Sequence, residues 1–203
     1  ATALHMQRLD RKIAVSLLRL SRGNMKVAVL MLFAVTAFLS MWISNTATAA
    51  MMLPLAMGMM SHLDQEKERK TYVFVLLGIA YCASIGGLGT VVGSPPNMIA
   101  AKALNLDFVG WMKLGLPMML LILPLMLFSM YVILKPNLNE RVEVKEESIP
   151  WTLHRVIALL IFLAAAIAWV FSSKIKAAFG ISNPDTVIAL IAAVAVVVFG
   201  VAQ

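Results

Sequence analysis

The chain has few charged residues and only one cysteine. Asp, Glu, Lys and Arg make up 13% of its 203 residues, whereas apolar residues make up 61% and the mean hydropathy is +0.89. This composition excludes a soluble domain built around a large core and is typical of a polytopic membrane protein. Cys82 lies inside an apolar segment and has no second cysteine with which to form an internal disulfide. Cysteine usage therefore leaves the redox compartment open.

Charged residues are also absent from the long apolar stretches. Five such runs contain no Asp, Glu, Lys, Arg or His: 27–60, 71–101, 114–134, 156–173 and 186–203. Proton relays and fixed-charge gates inside a membrane use ionisable side chains, so these runs offer no candidates for either. The net charge of +7 comes from short segments between the runs. There, Lys and Arg indicate membrane orientation rather than nucleic-acid binding.

The first apolar run predicts a helical hairpin. It holds about 34 residues, whereas about 20 suffice to cross the hydrocarbon core once. Ser44, Asn45 and Thr46 lie at its middle. Two arms that meet at this polar tip fit the length better than a single span does. We therefore interpret residues 27–62 as a re-entrant hairpin with both flanks on the same side of the membrane.

The second run predicts a broken transmembrane helix over residues 71–105. The stretch Gly86–Gly93 includes four glycines and is followed closely by Pro95-Pro96; neither residue type continues a regular helix easily. Irregular backbone that faces lipid would leave polar groups unpaired, which is strongly unfavourable. We therefore expect the two broken segments to shelter each other around a site.

The remaining segments complete a polytopic arrangement. Residues 1–26 carry six basic residues and one acid beside apolar positions, which is typical of an amphipathic helix on the cytoplasmic surface; a connecting helix docked on the protein itself is the alternative. Residues 106–135 predict a transmembrane helix, 136–155 a cytoplasmic connector, and 156–203 two transmembrane helices joined by a loop over 174–185. Because the chain begins without an initiator methionine and ends directly after an apolar run, we expect a fragment of a longer protein.

The distribution of basic residues favours the hairpin over a single crossing. With a hairpin, segments 1–26, 61–70 and 135–155 share one side and carry 13 Lys and Arg, against four on the other side. With a single crossing the division would be ten against seven. The positive-inside rule favours the first arrangement. It predicts an inner (plasma) membrane protein whose residues 1–26 and hairpin opening face the cytoplasm.

The two broken segments also offer neutral groups that can hold ions. The N-terminus of a helix favours an anion, whereas freed carbonyl oxygens favour a hard cation. Ser44, Asn45 or Thr46 can cap the second arm of the hairpin. Pro95-Pro96 suits the first turn of the next half-helix. We therefore expect two positive helix ends to converge on one site.

The same region predicts a sodium site. Ser40 lies four residues before Ser44 and hence on the same helix face. Their hydroxyls and the side-chain carbonyl of Asn45 offer three neutral oxygens. Backbone carbonyls near Gly93 can complete a small cage, which suits Na⁺. No soft ligand is present in the region, which argues against a transition metal.

Less specific interpretations exist for both motifs. The polar triplet can simply cap a kink, and the glycines can simply permit close helix packing. A nucleotide-binding loop is excluded because Gly87–Gly93 has the wrong glycine spacing and no Gly-Lys-Ser/Thr follows. An intramembrane hydrolase would need a base to activate the serines, and the apolar runs contain none. We therefore predict that the protein is not an enzyme.

Two stretches resemble a known transporter family. Ile43–Pro54 and Ile85–Asn97 are similar to the first-repeat signatures of the divalent anion/sodium symporter (DASS) family, in particular to bacterial dicarboxylate transporters of the INDY type. The resemblance implies an all-α, inverted-repeat transporter that works as a homodimer by an elevator mechanism. Its transport domain would carry Na⁺ and a di- or tricarboxylate such as succinate, and residues 156–203 would belong to the scaffold of the second repeat.

The resemblance also implies roles for individual residues. It assigns the sodium site to Ser40, Ser44, Asn45 and Gly93. It assigns the carboxylate contacts to Asn45, Thr46, Ser94 and Pro95. The family has a second Ser-Asn-Thr hairpin, which this chain lacks, because Ser182-Asn183 precedes a proline at the start of the last span and is interpreted as a cap and turn. Half of the binding site is therefore expected from a missing second half of the protein.

These observations predict sodium-coupled transport of dicarboxylates across the membrane. Two alternatives remain open. One is a symporter for sulfate or another oxyanion on the same scaffold. The other is a membrane structural subunit without transport activity, in which the broken segments serve only for packing.

Overall fold

The structure, a computed structural model, describes residues 21, 23–140, 152–180 and 184–199. The regular elements in this part of the chain are eight α-helices and one 3₁₀ turn. The α-helices are α1 (Met25–Ser40), α2 (Asn45–Met59), α3 (Arg69–Gly86), α4 (Pro95–Ala103), α5 (Phe108–Leu134), α6 (Leu153–Val170), α7 (Ser172–Phe179) and α8 (Pro184–Val198). The predicted all-helical class is therefore confirmed for the described residues.

Several predictions fall on residues outside this description. The amphipathic helix over 1–26 lies almost wholly there, as do most of the connector 136–155 and the pair Ser182-Asn183. For the described helices, length and composition are those of a polytopic membrane protein. Three helical segments are long and apolar enough to cross a bilayer: Arg69–Gly89, Phe108–Leu134 and Leu153–Val170. Helices α1 and α8 are apolar but shorter.

Helices α1 and α2 form a hairpin around a short turn at residues 41–44. A polar side chain caps each arm: Asn24 Oδ1 accepts the Val27 N–H at 3.3 Å, and Ser44 Oγ accepts the Ala47 N–H at 3.4 Å. Both arms pack against α3 and share one hydrophobic core with it. The turn between the arms therefore lies beside the C-terminal end of α3.

The backbone after α3 leaves the α-helical path. A 3₁₀ turn follows at Gly87–Gly89, residues 90–94 are irregular, and α4 begins at Pro95. Pro95 and Pro96 occupy the first turn of α4, where a missing N–H leaves no helical bond unmade. This irregular stretch, residues 87–94, is called the break below.

Helix α5 runs antiparallel to α3 and fixes the depth of the break. The Trp111 indole N–H donates to the Leu88 carbonyl at 3.0 Å, whereas at the other end the Asn137 N–H donates to Thr71 Oγ1 at 2.9 Å. With about 1.5 Å of rise per residue, the 27 residues of α5 span about 40 Å. Because Gly115 packs against Leu88, the break lies only about 10 Å from the Phe108 end of α5.

The segment 174–185, which was expected to be a loop, contains helix α7. Its lysines suggested a solvated connection, but residues 172–179 lack both glycine and proline, and Gly180 ends the helix with a positive φ of 63°. Lys174 extends over the Phe171 ring at 5.4 Å. The corrected description is a short surface helix between α6 and α8.

Candidate functional site

Three oxygen atoms meet where the hairpin tip touches α3. Ser40, the last residue of α1, is fully buried. Its Oγ lies 2.7 Å from Asn45 Oδ1 and 2.6 Å from the Ala83 carbonyl oxygen. These three atoms, which we call the oxygen cluster, join both arms of the hairpin to α3.

The oxygen cluster holds fewer protons than its contacts require. A serine hydroxyl donates one hydrogen bond, whereas the other two atoms are carbonyl oxygens that only accept. Ser40 can therefore donate to Asn45 or to Ala83, but not to both at once. The Ala83 carbonyl also accepts the Gly87 N–H at the end of α3. When Asn45 Oδ1 faces Ser40, one of the two short contacts is between lone pairs, and a small hard cation can bind there. When the amide turns over, Asn45 Nδ2 donates to Ser40 Oγ and every contact has its proton.

Gly87 permits the position of Asn45. A Cβ atom at residue 87 would collide with Asn45 Oδ1. The amide of Asn45 therefore lies directly against the backbone of the 3₁₀ turn, which places this first residue of α2 beside the break. No other residue type leaves room for that approach.

Thr90 connects the hairpin turn to the break. It is fully buried, and its hydroxyl donates to the Met41 carbonyl and accepts the Gly93 N–H at 3.2 Å. Gly93 in turn packs so closely on the Gly87 carbonyl that a Cβ there would collide with it. The turn and the break are therefore held together as one unit.

Asn97 satisfies the carbonyls that the break leaves without helical partners. Its Nδ2 donates to the Gly87 carbonyl at 2.7 Å and to the Thr90 carbonyl at 2.8 Å. The side chain is buried, with 3% of its surface exposed. Asn97 thus supplies the internal pairing that irregular backbone at membrane depth needs.

The structure brings only some of the predicted sodium ligands together. Ser40 and Asn45 meet in the oxygen cluster. Ser44 is exposed and its hydroxyl caps α2. Gly93 is buried, with its N–H turned to Thr90. The Ala83 carbonyl belongs to the cluster instead, although nothing in the sequence singles out that backbone oxygen.

The residues predicted to contact a carboxylate border the same region. Thr46 and Pro95 are exposed and Ser94 is half-buried, so all three have surface that a bound molecule can contact. The α2 N-terminus offers N–H groups at Asn45 and Thr46, which have no partner within an α-helix. At the N-terminus of α4, however, two prolines remove those donors. Helix α4 can therefore contribute its dipole, whereas direct N–H donation falls to α2.

Charged metal ligands do not gather in this part of the chain. Over the ranges that the structure describes, no group of three or more His, Cys, Asp or Glu side chains is placed to hold a metal ion.

Comparison with known proteins identifies the family. The chain is 52% identical over 211 aligned positions to an uncharacterized transporter of Haemophilus influenzae, with 100% of the chain and 46% of the relative covered. It is 34% identical over 201 positions to an uncharacterized transporter of Methanocaldococcus jannaschii, covering 99% of the chain and 45% of the relative.

A third relative has a more specific name. The sodium-dependent dicarboxylate transporter of Staphylococcus aureus is 27% identical over 154 positions, which cover 68% of the chain and 30% of that protein. The chain spans a little less than half the length of the first two relatives. A model of the citrate transporter family matches residues 3–203. The resemblance to anion transporters is confirmed: the chain belongs to the citrate transporter family.

Proposed function

We propose that the protein carries out sodium-coupled transport of di- or tricarboxylate anions, such as succinate, across the plasma membrane. The observation that carries this proposal is the oxygen cluster at the hairpin tip, in which one hydroxyl proton serves two carbonyl oxygens. The cluster lies beside the N-terminus of α2. A cation site and an anion site are therefore adjacent.

Sodium fits the chemistry of the oxygen cluster. Na⁺ is a hard ion that prefers neutral or anionic oxygens, and all three atoms are neutral oxygens. Ser40 Oγ lies within 2.7 Å of both carbonyl oxygens, so a small ion stripped of most of its water suits the site. Inside the protein, the positive charge would relieve the repulsion between the lone pairs. Sodium is cargo here and leaves with the substrate.

The anion would bind after sodium and next to it. The α2 N-terminus favours negative charge through its dipole and its unpaired N–H groups. The exposed side chain of Thr46 and the half-buried side chain of Ser94 can add hydroxyl donors. With sodium bound, the pocket gains a full positive charge without any ionised side chain. Binding in this order couples the two solutes.

The name of the Staphylococcus aureus relative, a sodium-dependent dicarboxylate transporter, supports the same choice of ion and substrate class. We extend the proposal to the whole protein. It is a homodimer, and the second half of each chain supplies an inverted copy of the hairpin. The transport domain moves as an elevator against a scaffold. In this scheme, the oxygen cluster is one half of a composite site.

Uptake by the full-length protein in liposomes tests the proposal. Succinate uptake should require an inward Na⁺ gradient and should not respond to K⁺. Asn45→Ala should lower it at least about tenfold, because losing a contact with an ion costs at least as much as losing a hydrogen bond to a charged group. Asn139→Ala, at an exposed residue outside the helices, is the matched control.

Three results would count against the proposal. Normal uptake by Asn45→Ala would remove the site assignment. Equal uptake in Na⁺ and K⁺ would remove the sodium coupling. Competition by sulfate but not by succinate would transfer the site to the oxyanion alternative.

A further inference from the structure

One buried hydroxyl near the oxygen cluster has no partner. Thr48 lies in the first turns of α2 and is fully buried, yet its Oγ1 makes no hydrogen bond. Thr36, in the other arm, is equally buried, but its hydroxyl donates to the Leu32 carbonyl at 2.6 Å. The two arms of one hairpin thus contain a satisfied and an unsatisfied buried threonine.

The position of Thr48 relates it to the oxygen cluster. It lies three residues after Asn45, and residues at this spacing share a helix face. This face continues through Met52 and Ala56, both buried in the core shared with α1 and α3. Thr48 therefore points from α2 into the same interior that holds Ser40.

The register between α2 and α3 gives the level of Thr48. Asn45 lies beside Gly87, and the Met60 carbonyl accepts the Tyr72 hydroxyl at 2.8 Å. These two contacts mean that α2 and α3 run antiparallel. Thr48 therefore lies about one turn from the Asn45–Gly87 contact along α2, in the direction in which Ala83, whose carbonyl belongs to the oxygen cluster, lies about one turn from it along α3.

We propose that Thr48 Oγ1 is a further oxygen ligand of the sodium ion at the hairpin tip, beside Ser40, Asn45 and Ala83. This inference rests on the proposed function and names one more ligand of the same site. A hydroxyl oxygen carries two lone pairs, and Thr48 Oγ1 makes no hydrogen bond to any neighbouring atom. Its lone pairs then remain available to the ion.

A purely structural role does not account for the hydroxyl. Valine has nearly the shape of threonine and would fill the same space without burying a polar atom, which is unfavourable when no partner is present. An unpaired hydroxyl at this point is therefore a disadvantage to the protein without the ion. With the ion bound, the same oxygen gains a partner.

Thermal unfolding of the full-length protein at increasing Na⁺ and without substrate tests the inference. Wild-type protein should become more stable with Na⁺ and not with K⁺. Thr48→Val should raise the half-saturating Na⁺ concentration at least about tenfold, since an ion–oxygen contact is comparable to a hydrogen bond to a charged group. Its melting temperature without Na⁺ should be unchanged or higher. Thr48→Ser, which keeps the oxygen, should stay close to wild type.

Thr36→Val is the matched control, because it removes a paired hydroxyl from the other arm. It should lower the melting temperature without Na⁺ and leave the half-saturating Na⁺ concentration unchanged. If Thr48→Val does not fold, Thr48→Ala provides the same comparison without filling any new space.

The outcomes separate the inference from the proposed function. A wild-type response to Na⁺ that Thr48→Val and Thr48→Ala both retain would overturn the role of Thr48 and leave the sodium site standing. Loss of the response in Thr36→Val as well would also overturn it, since the effect would then follow hairpin packing. A wild-type protein that does not respond to Na⁺ would overturn the proposed function itself.

Discussion

The absence of a side chain at Gly87 leaves the space that the Asn45 side chain needs. The amide of Asn45 occupies the space where a Cβ at residue 87 would lie. Asn45 can therefore reach Ser40 while lying against the backbone of the 3₁₀ turn. A single missing methyl group thus determines whether two parts of the oxygen cluster meet.

Substitution of Gly87 tests this dependence. Gly87→Ala should push the Asn45 side chain out of the oxygen cluster and abolish most of the Na⁺-dependent rise in melting temperature. Stability without Na⁺ should also fall by about 1–3 kcal/mol, the usual effect of adding a methyl group to a packed interior. Sodium titrations of thermal unfolding measure both effects.

Gly58→Ala, in α2, is the control for that substitution. A Cβ at residue 58 meets nothing within 4 Å, and alanine is the better helix former by about 0.5–1 kcal/mol. This variant should therefore be as stable as wild type or more so, with an unchanged Na⁺ response. A Gly87→Ala protein that keeps the full response would show that Asn45 does not need its present position.

At the residue scale, the sequence predicts side chains better than backbone atoms. Ser40 and Asn45 could be chosen because a polar residue in an apolar run is conspicuous. The Ala83 carbonyl could not, since every residue has one and only the packing of α1 on α3 brings Ser40 to this one. Thr90 and Asn97 were missed as well, although both are polar residues in or next to the predicted break.

At the scale of elements, the positions of the helix ends follow from residue types. Helix α1 ends at Ser40 and α3 at Gly86, inside the two stretches where polar residues, glycines and prolines interrupt the apolar pattern. The contacts that hold these helix ends in place were not predictable in the same way. Trp111 holds Leu88 from α5, and such a contact depends on how two distant segments pack.

A group of aromatic rings joins the hairpin tip to helices α5 and α6. Trp42, in the turn, stacks on Phe108 with ring centroids 6.1 Å apart and meets Phe162 edge-on at 5.2 Å. Phe108 stacks on Trp169 at 5.3 Å. The turn beside the oxygen cluster is therefore packed against the first helix after the connector, not only against α3.

A double-mutant cycle tests whether these rings couple the tip to α6. Trp42→Ala and Phe162→Ala, alone and together, should give a coupling free energy of about 0.5–1.5 kcal/mol in reversible unfolding, the usual range for aromatic pairs. Trp42→Ala combined with Phe74→Ala is the control. Phe74 packs on Phe33 and Tyr131 instead, so that pair should be additive within about 0.5 kcal/mol.

Equal coupling in both cycles would mean that the tip and α6 are not linked specifically through this ring contact. This distinction matters for the proposed elevator motion. If the ring contact links the tip to α6, it must separate when the hairpin moves relative to α6, and the surroundings of the Trp42 ring would then report the motion.

At the scale of the whole molecule, the proposed topology rests on the distribution of basic residues. If the hairpin enters and leaves on one side, Lys26 and Gln65 share that side, and Lys102 lies on the other. All three side chains are exposed. Cys82 is the one cysteine of these 203 residues and is buried; replacing it by Ala, together with any cysteine elsewhere in the full-length protein, gives a background without a native thiol.

Thiol labelling in that background tests the topology. A membrane-impermeant reagent added to intact cells should modify Lys102→Cys and spare Lys26→Cys and Gln65→Cys. Inverted vesicles should give the reverse pattern. Labelling of Lys26→Cys and Gln65→Cys from opposite sides would mean that the first apolar run crosses the membrane.

The off-centre depth of the break has an electrical consequence. It lies about 10 Å from one end of a helix that spans about 40 Å. The oxygen cluster extends from Asn45, beside Gly87, to the Ala83 carbonyl, which lies five residues before Leu88 and so about 7 Å further from the Phe108 end. A sodium ion that reaches the cluster from that end would cross roughly a quarter to a half of the transmembrane voltage, or about 0.6–1.1 kcal/mol per 100 mV. Departure towards the opposite face would cross the remainder, so voltage would act on both capture and release.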